Sequence, residues 1–290
     1  MNLRGAKPVV DNSVKEFITE VQPMNDLYND DLPEQFITNF VNWIKSSKLN
    51  NLQGLEEFTN RKLCAGTAQA FDHFYWRYQH RRFRFFKAEF MYHSAFLRSG
   101  GNYEYLEECK LESNDVVIIS VPYSDTGNMH PQLADILDTC NRLGCPVLLD
   151  FAYYPCSRNI KLDLSKYSCV ETLTFSISKA FYGAEFLRVG LRLERTDTDD
   201  GIDIFNSVEM LNRVSISIAN SLIENYAVDH NWNTYQKVYE EVCAEKNLEH
   251  TDCIMFGLGG EEYADLNRGG TVNRVSMSEL IGEKINGNSK

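Results

Sequence analysis

Val170-Glu-Thr-Leu-Thr-Phe-Ser176-Ile-Ser178-Lys179 is an apolar, β-branched run that stops abruptly at two hydroxyls and a lysine. The run predicts a buried strand over Val170 to Phe175. An amine just past such a strand is partly desolvated, which favours its neutral, nucleophilic form. Arg188-Val-Gly190 follows at a short interval, and serine hydroxyls with a guanidinium suit phosphate oxygens. Alone, Ser-x-Ser-Lys is also what an exposed loop lysine looks like.

Working outward, Asp115 to Ser120 and Pro146 to Asp150 are further continuous apolar strands, and Val189 to Leu193 is another. Gln132 to Leu143 has helical periodicity and a glycine stop at Gly144. Short apolar strands alternating with helices imply an α/β fold, with a doubly wound, mainly parallel sheet covered on both faces. Asp150 ends its strand where open α/β sheets bind ligands, and a carboxylate there can hold a protonated pyridine nitrogen. A turn cap is the plainer account of the same residue. Ala65-Gly66-Thr67-Ala68 opens a predicted helix to about Gln79, whose first N–H groups form an anion site. Many ordinary helices begin with such residues.

Elsewhere, Gln35 to Ile44 and Leu55 to Leu63 read as helices and Phe83 to Phe90 as a strand. Acidic Asp197 to Asp203 marks a boundary. Helices over Asn206 to Tyr226 and Trp232 to Glu245, strands at Cys253 to Phe256 and Val272 to Ser276, and a loose tail from Gly282 follow. The expected division is an N-terminal arm and helix (1–48) that contributes to the smaller unit, and a large α/β domain (49–202). An interdomain helix with a reduced small α/β domain (203–282) and a tail (283–290) follow.

Composition narrows the function. The chain has 290 residues, 43% of them hydrophobic, enough for a sizeable core. A formal net charge of −12 disfavours nucleic acid or an anionic membrane as the main partner. Arg77 to Lys87 mixes basic and aromatic residues, yet fits a helix end and a strand with a wet face. Neither a signal-peptide run nor a bilayer-length apolar segment is present, and the eight cysteines lack a paired CxxC. Reduced thiols and a cytoplasmic setting are expected. The six histidines show no metal-ligand spacing, and no GxGxxG follows a strand.

Taken in order, these segments resemble the class I/II aminotransferase family, the fold-type-I pyridoxal-phosphate enzymes. Asp150-Phe-Ala-Tyr153 is similar to the family's Asp-x-Ala-Tyr, and Ser176-Ile-Ser-Lys179 to its Ser-x-Ser-Lys, at the family's mutual distance. The resemblance implies pyridoxal 5′-phosphate bound to Lys179 as a Schiff base. Asp150 would pair with the pyridinium nitrogen, and Tyr153 would donate to the ring oxygen. Ala65, Gly66, Thr67, Ser176, Ser178 and Arg188 would cradle the phosphate. Phe90 takes the place of the stacked aromatic ring, and His93 that of a histidine which orients the aspartate. Arg274, in Asn273-Arg-Val-Ser276, would bind the substrate α-carboxylate. The implied reaction moves an amino group between an α-amino acid and a 2-oxo acid, in a homodimer.

The match has departures. Val121-Pro-Tyr-Ser124-Asp125-Thr-Gly127 resembles the family's Asn-Pro-x-Asn-Pro-Thr-Gly, with Ser124 for the cofactor-contacting asparagine and Asp125 for a proline. The interval from Lys179 to Arg188 is one residue longer than usual, so Arg188 needs a bulged loop. Leu49 falls where many members carry a tyrosine, and the small domain is short. Two other uses of the fold stay open. One is a lyase, since Tyr153-Tyr154-Pro155 is similar to the alliinase-like enzymes. The other is a non-catalytic relative.

Overall fold

A computed structural model describes residues 3–98 and 100–287. The strands in chain order are β1 (Asn51–Gln53), β2 (Asn60–Cys64), β3 (Arg82–Phe85), β4 (Tyr103–Tyr105), β5 (Asp115–Ser120) and β6 (Val147–Asp150). They continue as β7 (Lys161–Asp163), β8 (Val170–Ser176), β9 (Gly190–Glu194), β10 (Glu249–His250), β11 (Phe256–Gly259) and β12 (Asn273–Ser276). Helices α1 (Asn12–Glu20), α2 (Leu32–Lys45), α3 (Thr67–Arg77), α4 (Met91–Leu97) and α5 (Leu133–Leu143) precede or interleave the strands. Helices α6 (Gly201–Ser207), α7 (Arg213–Asn225), α8 (His230–Lys246) and α9 (Ser278–Gly287) follow β9.

The main sheet has the order β2-β9-β8-β6-β5-β3-β4. From β8 through β6, β5 and β3 to β4 every pairing is parallel, and β9 runs antiparallel to both of its neighbours. Alternation along the strands explains the two covered faces. Val117, Ile119 and Leu149 join the cluster beneath α2, α5 and α7, while Val116, Ile118 and Leu148 meet Phe71, Phe74 and Tyr75 of α3. Buried on both sides, these strands have no polar face, so the sequence reads as unbroken apolar runs.

The smaller sheet is β10-β11-β12, antiparallel, and packs with α8 and α9 around Trp232, Tyr239, Met255 and Ile281. The segment from Leu3 to Val10 runs beside it, with Leu3 O accepting from Ser276 N–H at 2.8 Å. α2 packs instead on α7 and the main core. Among the described residues no helix is long and apolar enough to cross a membrane.

Several local expectations are corrected. Leu55 to Leu63 is a 3-10 turn followed by β2, because Asn60–Cys64 completes the antiparallel ladder with β9. Phe83 to Phe90 leaves the sheet after Phe85 and turns into α4. The predicted helix over Asn206 to Tyr226 is split into α6 and α7, with Asn212 capping the second through Ser215 N–H. The strand placed at Cys253 starts at Phe256. The tail placed from Gly282 is the end of α9, and residues 288–290 lie outside the described residues. In the basic, aromatic run Arg77 to Lys87, Phe83 and Phe85 are core, while Arg82 and Arg84 both bond Asp115.

Candidate active site

Strand register brings the chemistry to one edge. Ser120 pairs with Asp150, Asp150 with Thr174, and Ser176 with Gly190, which also faces Cys64. The carboxyl ends of β5, β6 and β8 and the end of β2 therefore align, as expected for ligand sites on open α/β sheets. A cavity of about 320 Å³ opens there. Of the residues singled out by sequence, Thr67, Phe90, Asp150, Tyr153, Ser178, Lys179, Arg188 and Arg274 line it. Ala65, Gly66, His93, Ser124 and Ser176 do not; Ala65 is exposed and lines a neighbouring groove.

Lys179 and Asp150 open onto this one cavity. Burial lowers the Lys179 ammonium below its usual range, against the pull of Cys156 and Asp150. Its Nζ donates to the Ala6 carbonyl at 2.5 Å, so residues 4–6 form part of the wall. Burial pushes the Asp150 carboxyl up to about 7, and Glu89 adds to the rise. Asp150 Oδ1 accepts from Thr174 Oγ1 at 2.7 Å and from Ala152 N–H at 3.2 Å. No hydrogen bond reaches Oδ2 among the described residues.

His93 does not hydrogen-bond Asp150, which corrects the role expected for it. Its Nδ1 meets Tyr75 Oη at 2.5 Å, its ring lies 4.8 Å from that of Phe71, and its Nε2 is buried without a partner. Burial lowers its pKa to about 3, so it is neutral. Thr174 orients the carboxylate in its place.

The anion end is built on close backbone approach. Gly66 has φ +82°, and a Cβ there would lie 2.6 Å from the Arg188 guanidinium. Gly190 approaches Gly66 in the same way, with a Cβ position 2.9 Å from its Cα. Only glycine lets loop and strand come this near. The longer interval before Arg188 is absorbed by a turn at Ala184–Phe186 and by a left-handed Arg188, φ 54°. Arg188 donates to Ala65 O at 3.0 Å, while Ala65 N–H is taken by Gln69. Ser176 Oγ bonds Ser178 Oγ and Val189 O, and so holds Ser178 in the lining rather than entering it.

At the opposite end, Arg274 is buried over the Phe256 ring, 4.1 Å from its centroid, and bonds the Ser124 carbonyl. Arg268 donates to that same carbonyl at 3.0 Å, to Ser124 Oγ at 3.3 Å and to Glu89 O at 2.9 Å. The Ser124 hydroxyl also bonds the Tyr153 phenol, whose pKa burial raises. Arg268 escaped the sequence reading. Its only signal is an isolated cation before Gly269-Gly270, in a segment whose other charges are acidic. Glu89 was missed too; it is buried and accepts from Ser120 N–H and Oγ, at 2.8 and 2.6 Å. Of the double tyrosine, Tyr153 lines the cavity while Tyr154 bonds Ile44 O in the core.

Comparison with known proteins adds the fold. No family model matches the chain, and no curated protein matches it. Solved structures do, along nearly its whole length. A histidinol-phosphate aminotransferase from Clostridium acetobutylicum is 14% identical, with TM-score 0.63, over 98% of this chain and 96% of that one. A pyridoxal-phosphate-bound C–S lyase from Staphylococcus hominis is 12% identical, TM-score 0.66, covering 98% and 86%. MppP soaked with its product 2-ketoarginine is 12% identical, TM-score 0.70, covering 98% of each chain. The fold is that of these enzymes. At such identities the likeness extends to architecture alone.

Proposed function

We propose that this protein is a pyridoxal-phosphate enzyme that transfers an amino group between an α-amino acid and a 2-oxo acid. The observation that carries the reading is a desolvated Lys179 amine and the buried Asp150 carboxyl in one cavity, at the edge where parallel strands end. The donor set fits the cofactor. Among the described residues no hydrogen bond reaches Oδ2 of Asp150, and Arg188 sits where only a glycine at 66 leaves it room.

In this reading, Arg188, Ser178 and the first N–H groups of α3 hold the phosphate. Asp150 would pair with the ring nitrogen and favour its protonated form. Tyr153 donates to the ring oxygen, with Ser124 steadying its phenol, and Phe90 covers one face of the ring. Arg274 takes the α-carboxylate of the amino acid. The bound cofactor supplies an electron-withdrawing ring that acidifies the α-C–H. Lys179, whose ammonium form burial disfavours, would hold and move the α-proton at its Nζ.

The same reading includes a homodimer. Phe186, Ile204, Phe205, Val208 and Met210 are exposed apolar side chains, and Phe205 and Met210 flank a groove that reaches Arg188. Light scattering that finds only monomer would remove this part. All eight cysteines are free thiols, which favours a reducing compartment such as the cytoplasm.

The test is direct. Purified protein should show a visible absorption band that borohydride bleaches, leaving cofactor mass on the Lys179 peptide. Lys179→Ala should abolish that covalent attachment while the circular dichroism stays unchanged. Amino acids offered in a panel should yield 2-oxo acids; release of pyruvate and ammonia would favour the lyase. A protein that takes up no cofactor ends the reading.

A further inference from the structure

Strands β6 and β8 stop holding each other just past Asp150, at the bond from Phe151 N–H to Thr174 O, 2.8 Å. The chain after β6 then turns through Tyr153 to Cys156, and the chain after β8 runs through Ser178 and Lys179 to Ala180. Among the described residues no backbone–backbone hydrogen bond joins these two loops. Side chains join them instead. Cys156 Sγ donates to Lys179 O at 3.0 Å, a weak bond. Asn231 Nδ2 donates to Ala180 O at 2.9 Å and to Pro155 O at 3.3 Å, and so reaches both loops at once.

Asn231 lies in the first turn of α8 and is 1% exposed. The helix start is itself anchored, since Asp229 accepts from Ser47 Oγ and Lys48 N–H, both at 2.6 Å. Trp232 and Tyr235 pack into the smaller core directly after it. An amide nitrogen carries two protons, and here each has one carbonyl. Pro155 and Ala180 are both buried, and no other hydrogen bond reaches either carbonyl among the described residues. An asparagine that served only its own helix would cap that helix's first N–H groups, as Asn212 does for α7. Asn231 turns its donors away from α8 instead.

We infer that Asn231 is a positioning residue for Lys179: it braces the two loops that carry Lys179 and Tyr153, and so sets how far the amine is kept from water. This rests on the reading above, in which Lys179 is the nucleophile. Without the two donors, both buried carbonyls must find water, because an unpartnered one is costly. Loops that part to admit that water also hydrate the amine, and its ammonium form regains what burial denies it. The charged and titratable groups facing the amine are Cys156, Asp150, Glu185 and Arg274, and none of them is altered by a substitution at Asn231.

The experiment labels the whole chain, freed of cofactor, with formaldehyde and cyanoborohydride across a pH series, and reads the Lys179 peptide by mass spectrometry. Only the neutral amine reacts, so the midpoint of labelling reports the amine's proton. Asn231→Leu fills nearly the same space without donors, and should move that midpoint upward. Labelling at neutral pH, relative to its own plateau at high pH, should fall about tenfold. Asn231→Ser keeps one donor and should shift the midpoint less. Asn50→Ala is the control, because Asn50 is another buried amide that donates to Ser157 O at 2.8 Å, just after the same turn. Urea melts should show Asn50→Ala destabilised while its midpoint stays at the wild-type value. A midpoint unmoved in Asn231→Leu overturns the proposal, as does an equal shift in Asn50→Ala. Should Asn231→Leu fail to fold, an unmoved midpoint in Asn231→Ser overturns it as well. Uptake of cofactor is measured separately on wild type. A protein that takes up none breaks the parent reading, while the labelling still decides Asn231.

Discussion

The arginines of this molecule are held on two opposite terms, with acids in two clusters and without them in a third. Behind the sheet, Arg192 is fully buried and pairs with Glu194 at 3.1 Å, Asp200 at 2.5 Å and Asp203 at 3.2 Å, while Arg77 joins through Glu194 at 2.7 Å. At the edge, Arg84 pairs with Asp115 at 2.9 Å, both fully buried. In the cavity, buried Arg274 bonds carbonyl oxygens, half-buried Arg268 bonds carbonyls and the Ser124 hydroxyl, and neither has a carboxylate within ion-pair distance among the described residues. A buried guanidinium without a counter-ion costs desolvation that a carbonyl only partly offsets. The paired clusters serve the fold. The unpaired one is poised for a ligand that brings its own charge.

The sharpest way to break this contrast is to truncate one member of each cluster. Arg84→Ala leaves Asp115 as an uncompensated buried charge apart from Arg82, and should destabilise the protein by about 3–5 kcal/mol in urea melts. A loss below ~1 kcal/mol would mean that the paired cluster is not structural.

Asp150 tests the other side through pH. Its folded carboxyl keeps a proton up to about 7, whereas the ordinary value is 3.8. Between those values the folded state holds more protons than the unfolded state, so stability of cofactor-free protein falls as pH rises. Asp150→Asn should remove that slope and be more stable than wild type at pH 8, by on the order of 2–4 kcal/mol. Lys179, whose pKa is lowered, acts with the opposite sign at higher pH, and loses the opposing pull of Asp150 in the variant. Identical slopes would show that Asp150 is already ionised in the empty cavity.

Gly66→Ala sharpens the contrast at the anion end. Its Cβ would lie 2.6 Å from Arg188 in a backbone region closed to L-residues, so stability should drop by about 1–3 kcal/mol and Arg188 should be displaced. Inorganic phosphate should then protect the variant from heat less than it protects wild type. The smallest effect is expected for Arg188→Ala, with a change in stability below about 0.5 kcal/mol, since no acid depends on this cation. Protection by phosphate should nevertheless disappear. An Arg188→Ala protein that phosphate still protects would move the anion site elsewhere.

Much of this architecture is legible in the residues themselves. Strands β5 and β6 are buried on both faces and read as near-continuous apolar runs, while β8, with Glu171, Thr172 and Thr174, is read from its β-branched and apolar residues. Lys179, Asp150 and Tyr153 were also legible, because their positions after those runs follow from chain order. β2 was not: Asn60–Cys64 is mixed in polarity, and it is a strand only because β9 offers an antiparallel edge. The break between α6 and α7 depended on a cap at Asn212 that periodicity does not register.

By itself the sequence determined which strands form the sheet's centre and which side chains follow their ends, since burial and chain connectivity are local constraints. Only the tertiary structure decided which groups meet across long intervals. It aimed Arg268 and Arg274 at one carbonyl of Ser124, gave Thr174 rather than His93 to Asp150, and brought Ala6 to Lys179. Those contacts depend on how loops far apart in the chain pack over one sheet edge, and no spacing rule carries that information.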